Sequence, residues 1–180
     1  MRLARGVGVL LLLLVAVAAP ARAEEGELKV GDAAPTFSLR TLNPELAKRR
    51  VVGLRSFVGP GAEEPKKAIV LSFAASYCEP CKKELRALKT EEPALRAGGV
   101  LTLVVVIDTE EEGAEKMKRL VVDELKLELP VLSDRFAILA RRYRAEKLPF
   151  VVLIDAEGVV RWTHAGYDLK ALKAALADLR

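Results

Sequence analysis

Cysteine and histidine are almost absent from this 180-residue chain, which carries two of the first and one of the second. Two cysteines cannot build the multi-bridge framework that staples small exported domains. Even with His164, they offer fewer ligands than a tetrahedral zinc site needs. Aromatic residues make up only 5%, and no Lys/Arg cluster interleaves with them, so nucleic-acid binding is not expected. No apolar run reaches the roughly 20 residues that span a bilayer. There is no internal repeat and no low-complexity tract. What is plentiful is apolar residues, 51% of the chain, enough for one domain with a core that needs no metal or staple.

The N-terminus differs from the rest. Arg2 and Arg5 lead into an apolar run from Val7 to Ala19, about 13 residues, followed by Pro20 and Ala21-Arg22-Ala23. This charged, apolar and small-residue order is that of a secretory signal peptide over residues 1–23, with cleavage expected after Ala23. An uncleaved leader would instead act as an anchor, whereas a lipid-modified cysteine is excluded because the leader has none. Removing Arg2, Arg5 and Arg22 leaves 26 basic against 25 acidic residues. The pI of 9.1 therefore belongs largely to the leader.

Residues 24–29 read as a short mobile polar lead, and residues 30–180 as the folded domain. Turn residues and a brief alternation through Leu39, then an apolar stretch from Val51 to Val58, suggest two strands of an N-terminal hairpin. Ala68 to Phe73 and Val100 to Ile107 are continuous apolar runs of the kind found in buried central strands. Between them lies a helix from Glu79 to about Ala97, which Pro93 should kink or split. Thr109 and Glu112 stand at capping-box spacing, and Ser133-Asp134 should cap a further helix to about Arg144. Two strands around Asp155-Ala156-Glu157-Gly158 form a second hairpin, and Asp168 caps a closing helix. The order describes an α/β sandwich with a central mixed sheet.

Both cysteines fall in Ser76-Tyr77-Cys78-Glu79-Pro80-Cys81-Lys82-Lys83-Glu84, at the junction of the first central strand and the long helix. A helix N-terminus favours a thiolate, the species that attacks disulfides, and cysteines so placed have pKa values of about 3.5–7.5. Pro80 sits where its missing N–H costs nothing. Glu79 puts a negative charge beside the sulfurs and opposes the helix terminus. The alternative is a static structural disulfide, which would remove little entropy across so short a loop.

The set Gly31-Asp32-Ala33-Ala34-Pro35, Phe73, Cys78-Glu79-Pro80-Cys81-Lys82-Lys83-Glu84-Leu85, Leu148-Pro149 and Leu153-Ile154-Asp155 resembles the exported TlpA/ResA-like thiol–disulfide oxidoreductases over residues 30–180. The resemblance implies a thioredoxin-like sandwich with an N-terminal β-hairpin extension. It implies Cys78 as the exposed nucleophile and Cys81 as the resolving thiol. Glu84 becomes an acid linked to the site, against the bland reading of a solvated carboxylate near Lys83 and Lys89. Pro149 becomes a cis-proline facing the disulfide. Tyr77, Glu79, Pro80 and Leu148 would border the partner groove. Protein thiols or disulfides are the implied partners and a membrane thiol-transfer protein the implied electron donor. No cofactor and a monomer are expected. Reduction of partners outside the cytoplasm, notably in cytochrome c maturation, is the implied direction.

The chain departs from the family where a Trp is usual, having Ala74 and Tyr77 before the first cysteine, and in having Leu148 before the proline. An oxidase or isomerase, a binding module with a static disulfide, and a peroxide- or metal-handling protein remain as other readings. Ala75 stands where a peroxidatic motif has Thr. His164 reads as a surface residue at a hairpin end, and Trp162 and Tyr143 as core or rim aromatics.

Overall fold

Ala68–Ala74 (β3) and Val100–Val106 (β4) pair in parallel, each almost wholly buried because helices and loops cover both faces. The computed structural model describes residues 28–179; the expected leader over residues 1–23 and residues 24–27 of the polar lead lie outside the described residues. Around this pair forms a seven-stranded mixed sheet in the order β2-β1-β5-β4-β3-β6-β7. Its other strands are Ser38–Thr41 (β1), Val51–Gly53 (β2), Val131–Ser133 (β5), Phe150–Asp155 (β6) and Val160–Ala165 (β7).

Side chains alternate across the sheet with the period of two that pleating imposes. Ile69, Leu71, Phe73, Leu103 and Val105 face a core completed by Phe57, Leu139 and Tyr143. That side carries Ile138–Arg142 (α4) and the segment after β2. Ala74, Val104 and Val106 face Cys81, Leu85 and Leu88 of Glu79–Ala97 (α2) and Met117 of Glu111–Arg119 (α3). Val70, Val100 and Leu153 face Leu172 of Leu169–Ala177 (α5).

Several local expectations are corrected. The stretch from Val51 to Val58 is a strand only to Gly53; a 3-10 turn, Leu54–Ser56, then turns Leu54, Phe57 and Val58 into the core. Pro93 sits inside α2 without splitting it. Thr109 is not the cap of α3: Glu110 holds that place without a side-chain cap bond, and the chain continues beyond Arg119 as one wider π-type turn, Leu120–Glu124. The helix expected from Asp134 to Arg144 is short, although Asp134 does accept hydrogen bonds from Leu139 N and Ala140 N at 3.2 and 2.8 Å.

The N-terminal hairpin is less an extension than part of the sheet. β1 pairs antiparallel with both β2 and β5. A short helix between them, Pro44–Ala47 (α1), starts after Asn43, which is fully buried. Asn43 Nδ2 donates to Leu129 O, and its Oδ1 accepts from Val131 N, both at 2.9 Å, which stitches the hairpin to the approach to β5.

Candidate active site

β3 ends at Ala74, and the four residues Ala75, Ser76, Tyr77 and Cys78 turn the chain into α2. Ser76 fixes this loop: its N–H and hydroxyl donate to the two carboxylate oxygens of Asp108 at 2.9 and 2.6 Å. Asp108 follows β4, so the neighbouring strand aims the turn. Gly113 of α3 makes room for that contact, since a Cβ there would collide with Asp108 Oδ1.

Cys78 is the N-cap of α2, and its Sγ accepts from Cys81 N at 3.1 Å. The two sulfurs are bonded, with the Cα atoms 5.3 Å apart. Cys78, expected to be exposed, is only 7% accessible with the bond closed; Cys81 lies deeper at 1%. When the bond opens, the hydrogen bond and the end of a 19-residue helix both favour negative charge on Cys78. Glu79 offsets this less than expected, because Lys82 Nζ pairs with it at 2.6 Å and, with the bond to Lys82 leading, holds its pKa below the ordinary range.

Glu84 follows Cys81 by three positions and so shares its side of the helix. It does not reach Lys83 or Lys89; it is 6% exposed, and its Oε1 accepts from Ser72 Oγ at 2.6 Å. Burial raises its pKa to about 7, against the opposing pull of the Ser72 bond. Ser72 escaped notice in the sequence although it interrupts an apolar strand, the same signal given by Thr102 in β4.

The Leu148–Pro149 peptide is cis. Register between Phe73 and Phe150 places Pro149 at the sheet end where β3 turns toward Cys78. Leu148 packs against the cluster that holds both cysteines, while Pro149 O accepts from Gly166 N at 2.7 Å. Tyr77 is 72% exposed beside Cys78, and Glu79 and Pro80 are also at the surface. The fold thus brings the expected site residues to one end of the sheet. His164 lies within β7, not at a hairpin end, and stacks on Trp162. Tyr143 is a core residue whose hydroxyl donates to Pro35 O. Among the described residues no three His, Cys, Asp or Glu side chains gather as a metal site, and no helix is long and apolar enough to cross a membrane.

Residues 30–163 match the AhpC/TSA family. The chain is 29% identical over 156 residues to the thioredoxin-like protein YneN of Bacillus subtilis, covering 87% of this chain and 83% of that protein. It is 28% identical over 176 residues to the thiol-disulfide oxidoreductase ResA of Oceanobacillus iheyensis, covering 93% and 85%. Among solved structures, a candidate thiol:disulfide interchange protein DsbE from Chlorobium tepidum superposes with a TM-score of 0.66 at 26% identity, over 83% of this chain and 99% of that one.

Proposed function

The chain belongs to the AhpC/TSA family, and from that premise we propose that it is an exported thiol–disulfide oxidoreductase that reduces disulfides in protein partners. The observation that carries this reading is the bonded Cys78–Cys81 pair at the start of α2 with the buried carboxyl of Glu84 three residues on.

In the dithiol form, Cys78 acts as a thiolate and attacks one sulfur of the partner's disulfide. A mixed disulfide forms and the partner's other sulfur leaves as a thiolate, which takes up a proton. Cys81 must then lose its own proton before it attacks Cys78 Sγ. Glu84, titrating near 7, is suited to accept that proton at neutral pH. The attack closes the Cys78–Cys81 bond and releases the partner as a dithiol; two electrons have passed to it. A membrane thiol-transfer protein resets the couple. Tyr77, Pro80, Leu148 and Pro149 border the surface on which the partner lies, with Glu79 at its edge. The leader, removed after Ala23, delivers the domain to the outer side of the cytoplasmic membrane, where cytochrome c maturation supplies disulfides that need such a reductant.

Trapping tests the roles. Cys81→Ser should accumulate a mixed disulfide with a protein partner on non-reducing gels, and Cys78→Ser should not. Equal trapping by both variants, or by neither, contradicts the assignment. Mass spectrometry of the exported protein should find Glu24 as its first residue.

A further inference from the structure

Near the cysteine pair lies a small cavity between α2, β3, β4, β6, β7 and the segment entering α5. Glu84, Thr102, Ser72, Tyr167 and Asp168 line it, with apolar walls from residues such as Val70 and Leu172. Its volume is about 20 Å³. One water needs at least about 10–15 Å³ and two to four polar partners. Two such partners stand ready: Glu84 Oε2 and Thr102 Oγ1 are both fully buried and meet no protein hydrogen-bond partner. An unpaired buried oxygen is costly, and two lining one cavity mark a built polar site.

We propose that this cavity is a binding site for one ordered water, bridging Glu84 and Thr102, and that Tyr167 connects it to solvent, so that the proton of Glu84 leaves beside α5. This rests on the role given to Glu84 above and adds the route and the residues that hold it. Tyr167 is 41% exposed, so it joins the cavity to bulk water. It is also near Glu84: burial first, and then the carboxylates of Glu84, Glu91 and Asp168, hold its hydroxyl above its ordinary pKa, so it stays an O–H donor.

The groups around Glu84 leave little competition. On α2 it follows Cys81; β3 offers Ser72, already bonded to Oε1, β4 offers Thr102, and β7 contributes the indole of Trp162 to the lining. The segment entering α5 offers Tyr167 and Asp168, and Asp168 Oδ1 is engaged by Ala171 N at 2.8 Å. Glu91 is paired with Lys173. No lysine or arginine lines the cavity. The proton balance is simple. Cys81–SH gives its proton to the Glu84 carboxylate, Glu84 gives it to the water, and the water passes one on through the Tyr167 hydroxyl to solvent. No electrons move in these steps. Thr102 and Tyr167 are positioning residues, since neither touches the reacting sulfurs.

The test uses the full mature chain. Water-to-protein NMR transfer should show a long-lived water at the Thr102 methyl, and Thr102→Val should abolish it. The same variant should slow the Cys81 resolution step roughly tenfold at neutral pH, less than the loss of a full general acid–base group, and enlarge its solvent isotope effect. Thr102→Ser, which keeps the hydroxyl, should restore the rate and the isotope effect, and Tyr167→Phe should slow the step and enlarge the isotope effect while leaving the water in place. If Thr102→Val does not fold, Tyr167→Phe still carries the rate and isotope readouts, and the water is sought at the Thr102 methyl of the unsubstituted chain. No long-lived water, or an unchanged resolution rate in Thr102→Val or Tyr167→Phe while Glu84→Gln slows it, overturns this inference alone. An unchanged rate in Glu84→Gln overturns the reading on which it rests.

Discussion

Glu84 is a carboxyl whose burial is answered by one neutral hydroxyl and no cation, and its titration follows from that. The folded state keeps its proton to about pH 7, whereas an unfolded chain releases it near 4.5. Folded protein therefore binds more protons than unfolded protein between those values, and stability falls as pH rises through the window. A displacement of that size amounts to about 3 kcal/mol. Denaturant melts of the disulfide-bonded protein between pH 4 and 8 should show this decline, and Glu84→Gln should flatten it. Ser72→Ala removes the hydrogen bond that favours the carboxylate, so Glu84 should titrate still higher, as followed by carboxyl carbon NMR. The motif was legible as a site because both cysteines, Pro80 and Glu84 lie within seven positions. Ser72, Thr102 and Tyr167 were not, because only the packing of β3, β4 and α5 against α2 makes them neighbours of Glu84.

Among the elements, those that aim the site are held by polar residues acting across long sequence distances. Asn43 satisfies a carbonyl and an N–H on the approach to β5. Asn43→Ala leaves both buried and unpaired, so it should cost about 2–5 kcal/mol by chemical denaturation. Gly113 gives a sharper test, because its expected sign opposes helix propensity. In an ordinary helix interior Gly→Ala stabilises by roughly 0.5–1 kcal/mol. Here the added Cβ meets Asp108 Oδ1, so Gly113→Ala should lower Tm, release Ser76 and change the alkylation rate of reduced Cys78. The same contacts explain where local signals misled. Thr109 and Glu112 have capping-box spacing, yet the preceding Asp108 is drawn to Ser76 and α3 starts later. Val51 to Val58 has the composition of a strand, yet Leu54, Phe57 and Val58 have a core to fill and the chain turns inward.

At the scale of the molecule, the apolar runs of β3 and β4, the second hairpin and the closing helix were all readable from periodicity and turn residues. The insertion of β1 between β2 and β5 was not, because antiparallel pairing across some ninety residues leaves no local mark. Since β1 covers the edge of β5, a chain shortened to begin after Val58 should lose cooperative unfolding, checked by circular dichroism during heating. The site gathers at the sheet end reached by β3 and left by β6, with the cysteine pair at the start of α2 and the buried acid one turn further along the helix. That arrangement serves electron transfer in either direction; the direction proposed is reduction of the partner. The most direct test is the midpoint potential of the Cys78–Cys81 couple in the mature domain, equilibrated against defined dithiol buffers. A value well below about −200 mV is predicted for a reductase. A value near −120 mV would contradict that direction and mark an oxidase.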